Sequence, residues 1–235
     1  AFVLPTKVLH TDGRVTAANL SIGAQRSTEA VLKAGSIDKQ VELLHFFDNP
    51  QYAANQFCIC AALAAPIYHA TGHYGVVINM SGKPGASKST TLYTGASLWG
   101  EPIKYCLNGT NDGATHKARN NRMYVTANLP QLVDEITLMP PKDAADMAMG
   151  VTQATGRIRL HMDGTERKSL GGNKSTIMLS TANTSLYSVL SSERADSTAE
   201  SMRVFEIQFL LTNIHKKHQA DEFMVALREN YGHIG

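Results

Sequence analysis

The stretch Ser81-Gly82-Lys83-Pro84-Gly85-Ala86-Ser87-Lys88-Ser89-Thr90 limits the folds open to this chain more than any other. It follows an apolar run at residues 75–80, which reads as a buried strand, and precedes residues 91–99, which read as a helix. A glycine-rich turn between strand and helix lets successive backbone N–H groups curl inward, while the helix aims its positive end at the same point. Such a turn holds phosphate. Against the pattern G-x-x-x-x-G-K-[ST], Gly82 is the first glycine, Ser87 stands where the second belongs, and Lys88 and Ser89 close the motif. Lys88 then reaches the outer phosphates and Ser89 ligates magnesium, which makes Gly82, Gly85, Ser87, Lys88, Ser89 and Thr90 the candidate nucleotide-binding residues. If position 87 needs positive φ, serine is strained there. The competing reading is an ordinary glycine-rich loop with a chance lysine.

At 235 residues the chain can bury a full core as one domain. Its 22 Lys and Arg against 20 Asp and Glu leave a formal charge of +2, so no partner follows from the total and any basic surface has to be local. No apolar run reaches the roughly 18 residues of a membrane span, and the first residues show no charged-then-apolar leader. The expectation is a soluble protein of the cytoplasm. An opening Ala-Phe-Val-Leu without an initiator methionine reads as a fragment or processed piece. Cys58, Cys60 and Cys106 form no C-x-x-C pair, which argues against zinc. Cys58 and Cys60 point in different directions on a predicted helix and read as small buried apolar residues in a reducing compartment.

Residues 2–5 and 8–10, with the turn signal Thr11-Asp12-Gly13, read as a strand or hairpin, and residues 19–36 as loop plus a short helix. Ser36 caps a helix whose apolar face is Val41, Leu43, Leu44, Phe46 and Phe47. A second helix starts at Asp48-Asn49-Pro50 and runs toward Gly72, interrupted by Pro66. Beyond the phosphate loop, Tyr105-Cys106-Leu107 reads as a short strand and residues 143–155 as a helix.

The second chemical signal is Leu132-Val133-Asp134-Glu135-Ile136. An acid at a strand's end can hold the magnesium shell while its neighbour polarises a water, which assigns Asp134 to the metal and Glu135 to the base. Alone, such a pair is usually a solvated turn. Residues 176–180 read as a further strand, and a polar residue at its tip can bond the γ-phosphate or the attacking water. Asn183 fits first and Thr181 second. In front of the strand-like run 204–210 stands Arg203, placed to reach a neighbouring subunit's site, with Arg194 as its rival. Either is also free to be a surface ion pair.

Residues 156–162 alternate polar with apolar, and Asp163-Gly164 is a hairpin turn signal. Arg157, Arg159 and His161 share one face of the first arm, with Arg167 and Lys168 following the turn. The two readings are contact with nucleic-acid phosphates and a solvated hairpin partly neutralised by Asp163 and Glu166.

With these residues in view, the chain resembles the phosphate-loop ATPase family of uncharacterised function found in phage and prophage primase-helicase proteins, which is related to superfamily 3 helicases and more broadly to AAA+ ATPases. The likeness spans about Ala1 to Gly235. It rests on Ala61-Ala62-Leu63-Ala64-Ala65-Pro66, residues 81–90, Ala96-Ser97-Leu98-Trp99-Gly100, Asp134-Glu135-Ile136, Leu179-Ser180-Thr181 and Asn230-Tyr231-Gly232. It implies an α/β fold, a three-layer P-loop NTPase core of AAA+ or superfamily 3 type over residues 73–235 with a β-hairpin insertion and a truncated C-terminal end. Residues 36–72 would be a helical platform, and residues 1–35 a strand and loop segment continuing from something upstream.

The resemblance further implies ATP and Mg2+ as cofactors, catalytic roles for Lys88, Glu135, Asn183 and Arg203, and metal roles for Ser89 and Asp134. Arg157, Arg159, His161, Arg167 and Lys168 would line a DNA hairpin. The implied assembly is a hexameric ring moving on single-stranded DNA, with a primase module in the same or a partner chain. Two departures stand out. Ser87 replaces the usual glycine, and Ala182-Asn183 stands where this family more often has Gly-Glu, although asparagine agrees with superfamily 3. Beside a helicase-type motor, two functions stay open: an ATP-binding ring-assembly module without translocation, and a packaging-type motor on duplex DNA.

Overall fold

The computed structural model describes residues 2–3, 7–10, 12–18, 28–71, 73–109, 122–123, 126, 129–152, 159–160, 166–167, 176–193, 204–211 and 216–235. Phe2–Val3 (β1), Lys7–Leu9 (β2) and Val15–Ala17 (β3) make an antiparallel sheet in the order β1-β2-β3. Ser36 caps Ile37–Leu44 (α1), its hydroxyl accepting the Lys39 N–H at 3.2 Å. Asn49 caps a 3-10 turn at Pro50–Tyr52 that runs into Ala53–Ala70 (α2).

Pro66 sits inside α2 without interrupting it, contrary to the sequence expectation. The backbone bond that proline forfeits is outweighed by the packing of Ala61, Ala62 and Ala65, all buried in the core. Of the two cysteines on α2, Cys58 is buried but Cys60 is exposed, so only the first is the core residue expected.

The run Val76–Ser81 (β4) is buried almost throughout, as a strand covered on both faces must be. After the loop come Lys88–Ser97 (α3), Pro102–Tyr105 (α4) and Leu107–Asn108 (β5). The strand expected at residues 105–107 therefore begins only at Leu107. Pro102 favours a helical first turn, and the Tyr105 hydroxyl is drawn inward to the Pro130 carbonyl at 2.9 Å. Gln131–Asp134 (β6), Pro141–Thr152 (α5), Arg159–Leu160 (β7), Glu166–Arg167 (β8), Ile177–Ala182 (β9), Leu186–Glu193 (α6), Val204–Gln208 (β10) and Lys217–Glu229 (α7) follow.

Five strands form a wholly parallel sheet in the order β10-β4-β9-β6-β5. Helices cover both faces. On one, Ala62, Ala65, Leu92 and Ala96 of α2 and α3 pack on Ile78, Met80, Leu132 and Leu179. On the other, Met147, Val151, Leu186 and Leu190 of α5 and α6 pack on Val77, Val133, Met178 and Val204. The architecture is thus mixed α/β in three layers.

A further cluster joins Leu43, Phe47, Tyr52 and Leu98 to Phe223 and Leu227, so that α1, the 3-10 turns at His45–Phe47 and Pro50–Tyr52, and α7 lean on the end of α3. Buried Gln40 fastens this layer by donating to the Ser97 carbonyl at 2.6 Å and accepting the His233 N–H at 3.0 Å. Among the described residues, no helix is long and apolar enough to cross a membrane.

The register decides where function can sit. Ser81 lies opposite Ala182 and Gln208, Val133 opposite Ser180, and Asn108 opposite Asp134. The carboxyl ends of all five strands therefore open onto one edge, which is where open parallel sheets bind ligands.

Candidate functional site

The glycine-rich loop fills the gap between β4 and α3 at that edge. Gly82 and Gly85 have φ of 150° and 85°. A Cβ on Gly82 would come within 2.4 Å of the Phe209 carbonyl oxygen, so the loop is seated against the end of β10 by a contact only glycine permits. Its N–H donates to the Ala182 carbonyl at 3.3 Å, which ties the loop to β9 as well. Ser87 has φ 60° and ψ 16°, the left-handed conformation for which the usual glycine is suited. The strain expected from the sequence is therefore present. Thr90 stands in the first turn of α3, its carbonyl accepting from the Thr94 hydroxyl at 2.8 Å.

Lys88 is only 6% exposed, so its ammonium has to be satisfied inside the protein. It donates to the carbonyls of Gly82 at 2.7 Å and Lys83 at 3.0 Å, and to Asn183 Oδ1 at 3.2 Å. All three acceptors are neutral. Burial pulls the Lys88 pKa down, while the nearby charges of Glu135 and Asp134 push it back up.

Across the cleft Asp134 ends β6 and receives three hydroxyls. Ser89 donates to Oδ1 at 2.9 Å, Thr181 to Oδ1 at 2.6 Å and Tyr93 to Oδ2 at 2.8 Å. Thr181 is wholly buried and turned toward the acidic turn: its oxygen also accepts the Glu135 N–H at 2.8 Å. It orients the two acids and does not face the loop lysine, so of the two candidates at the tip of β9 it is Asn183 that does.

Glu135 differs from its neighbour in every respect. Its backbone is left-handed, φ 50° and ψ 55°. One carboxylate oxygen accepts from Asn183 Nδ2 at 3.1 Å, and the other, Oε1, is buried without a partner among the described residues. Burial raises its pKa first and the Asp134 charge second, against the opposing pull of Lys88. A carboxylate with one oxygen pinned and the other unpaired is suited to accept a proton from a bound water.

Lys88, Ser89, Asp134, Glu135 and Asn183 are thus brought together, although they come from the start of α3 and from just at or beyond the ends of β6 and β9, separated by up to 95 positions in sequence. The backbone of β7 and β8 pairs Arg159 with Arg167 and Leu160 with Glu166, which are the described parts of the expected basic hairpin. Arg157, His161, Lys168, Arg194 and Arg203 lie outside the described residues.

Two site residues had gone unread in the sequence. Tyr93 follows Ser89 by four positions, the spacing that puts both on one helix face, and that spacing is the signal that could have found it. Gly109 stands in the stretch Asn108-Gly109-Thr110-Asn111-Asp112-Gly113, whose composition signals a turn and nothing chemical. Its N–H donates to the Asp134 carbonyl at 2.7 Å, and a Cβ on it would stand 1.9 Å from the Glu135 carbonyl oxygen.

The donor set fits magnesium. Ser89 and Asp134 supply hard oxygen atoms, and magnesium is commonly held by one or two carboxylates with substrate phosphates completing its shell. Among the described residues, no group of three or more His, Cys, Asp and Glu side chains is placed to hold a metal by itself.

A search of curated proteins finds no match. Among solved structures, one described as the SCCmec type IV Cch active helicase is 16% identical, with a TM-score of 0.61 over 87% of this chain and 37% of that one. At that identity the likeness establishes a shared fold, and the chain spans little more than a third of that protein's length. Residues 1–170, which hold the loop and both acids but not Asn183, match the family described as "Domain of unknown function (DUF927)", and the chain belongs to that family.

Proposed function

We propose that this chain binds ATP with magnesium and hydrolyses it to drive movement on DNA, as the helicase-type motor of a phage-like primase-helicase protein. The observation that carries the proposal is the convergence of Lys88, the Ser89–Asp134 pair and the Asn183–Glu135 pair at the carboxyl edge of one parallel sheet. The fold shared with a protein described as an active helicase supports it. In this proposal the core is of AAA+ or superfamily 3 type and assembles as a hexameric ring. Arg203 reaches the neighbouring site, and Arg157, Arg159, His161, Arg167 and Lys168 face single-stranded DNA.

Magnesium, when bound, offsets charge on the phosphate oxygens. The rest falls to the chain. The N–H groups of the loop from Gly82 to Ser87 and the start of α3 cradle the phosphates. Lys88 exchanges carbonyl acceptors for phosphate oxygens, a change favoured because its buried charge has only neutral partners. Asn183 touches both Lys88 and Glu135, so it holds the base and the cation at a fixed separation. Glu135 takes the proton of the attacking water as its oxygen bonds to the γ-phosphorus and the bond to the β-phosphate oxygen breaks, leaving ADP and phosphate. Its raised pKa makes it a stronger base than an ordinary carboxylate.

The test is steady-state ATP hydrolysis with magnesium, with and without single-stranded DNA, with the assembly state followed alongside. Lys88→Ala should lower turnover by at least about 100-fold while leaving the thermal transition in place. Turnover equal to wild type in that variant would overturn the proposal. A second reading is favoured by Ser87: a strained loop suits a module that binds ATP to close a ring without translocating. Nucleotide-dependent assembly without turnover or DNA stimulation would select it.

A further inference from the structure

We infer that Tyr93 is the positioning residue of the metal side of this site, holding the Asp134 carboxylate in one orientation and bracing it against the layer formed by α1, the 3-10 turns and α7. The inference rests on the magnesium–ATP proposal and deepens it. No part of the G-x-x-x-x-G-K-[ST] pattern calls for a tyrosine one turn into the helix.

The two oxygens of Asp134 are held very differently. Oδ1 is shared by Ser89 and Thr181, whereas the bond found on Oδ2 is that from the Tyr93 hydroxyl at 2.8 Å. With Oδ1 alone held, the carboxylate can still pivot about that oxygen through coupled changes of χ1 and χ2, and the bond from Tyr93 to Oδ2 removes that freedom. If Ser89 turns its oxygen to a cation, Tyr93 and Thr181 still hold the carboxylate from both sides. A tyrosine phenol is protonated at neutral pH and so is a donor to the carboxylate.

The ring supplies the second half of the argument. Tyr93 packs against the cluster in which Phe47, Tyr52, Phe223 and Leu227, from outside the sheet core, meet Leu98 at the end of α3. A hydroxyl on a ring fixed in that cluster cannot follow a drifting carboxylate. The accessory layer therefore fixes the position of a metal-side acid that it does not touch, and outer contacts of this kind set metal affinity.

The experiment measures binding, not turnover. Mn2+ is titrated by electron paramagnetic resonance into the chain saturated with a non-hydrolysable ATP analogue, and analogue affinity is measured separately in EDTA. For Tyr93→Phe, which keeps the ring and removes only the donor, Mn2+ affinity should fall about 10- to 100-fold while metal-free analogue affinity stays within about 2-fold. Tyr93→Leu, which also loses the ring's hold in the cluster, should fall at least as far. Wild-type Mn2+ affinity in folded Tyr93→Phe would overturn the inference and leave the ATP proposal standing. A wild-type chain that binds the analogue in neither condition would overturn both.

Discussion

Ser87 and Glu135 are, among the described residues, the two non-glycine positions with a left-handed backbone; one precedes the helix that carries Lys88 and Ser89, and the other follows Asp134 at the end of β6. Their settings are opposite. Ser87 makes no side-chain cap bond, and its carbonyl merely starts the helix by accepting from Thr91 N at 2.9 Å and Thr91 Oγ1 at 2.8 Å. Glu135 is held from several directions: its N–H by Thr181, its carbonyl by the Leu138 N–H at 3.0 Å, and its carbonyl's position by the close backbone of Gly109. Strain that neighbours enforce this thoroughly belongs to aiming a side chain, whereas strain with no such support is a property of the local sequence. The acidic turn is built for its conformation. The loop tolerates its own.

The sharpest way to break that contrast is Gly109→Ala. The added Cβ would fall 1.9 Å from the Glu135 carbonyl oxygen and 2.7 Å from its carbon, both backbone atoms that cannot swing aside. The turn has to shift, at a cost of about 1–3 kcal/mol in stability. A displacement near 1 Å of the proposed base lowers turnover by about 100-fold. Denaturant unfolding and ATP hydrolysis check the two halves, and unaltered hydrolysis would mean that the Gly109 contact does not aim Glu135.

Much of this site was legible because its parts are local. The strand before the loop, the loop, Lys88 and Ser89 are contiguous, and the two acids Asp134 and Glu135, weak as a signal alone, stand out by their apolar approach and their place downstream of Lys88. Asn183 was legible as a strand-end polar residue and as the better candidate than Thr181, but the reason, that Thr181 is turned into the sheet and under the acids, needed the register. What stayed hidden depends on approach between segments far apart in sequence. Gly109 looks like any turn glycine until the Asp134–Glu135 backbone is laid beside it. Pro66 looks like a helix end until the alanines around it are seen to be buried. Tyr93 is ordinary helix filling until Asp134, 41 positions later, arrives at its hydroxyl.

Ser87→Gly sharpens the comparison from the other side. Leaving the left-handed region recovers about 1–2 kcal/mol for a residue with a Cβ, and the greater freedom of glycine in the unfolded chain takes back about 0.5–1 kcal/mol. The variant should be more stable by less than about 1.5 kcal/mol and bind ATP at least as tightly as wild type. Calorimetric unfolding and equilibrium nucleotide binding measure both. A destabilised Ser87→Gly would mean that the serine makes a contribution to the loop beyond its backbone.

The smallest effect expected, and the one that isolates charge from strain at the acidic turn, is the stability of Glu135→Gln as a function of pH, measured without metal or nucleotide. Burial and the Asp134 charge raise the folded-state pKa of Glu135. The native state thus holds this proton more tightly than the unfolded chain does. That favourable contribution is complete below the unfolded pKa and is lost as pH rises through the folded value. At neutral pH the wild type therefore carries a charged group its site disfavours, and the amide does not. Glu135→Gln should unfold at the higher temperature at pH 7, and the gap should close as pH falls toward about 4. Because the carboxylate is partly open to water, the gain stays below about 1 kcal/mol, or at most about 2–4 °C in Tm. A gap that persists unchanged at acid pH would mean that the carboxylate's charge is not its cause, since the left-handed backbone is common to both side chains and cancels in the comparison.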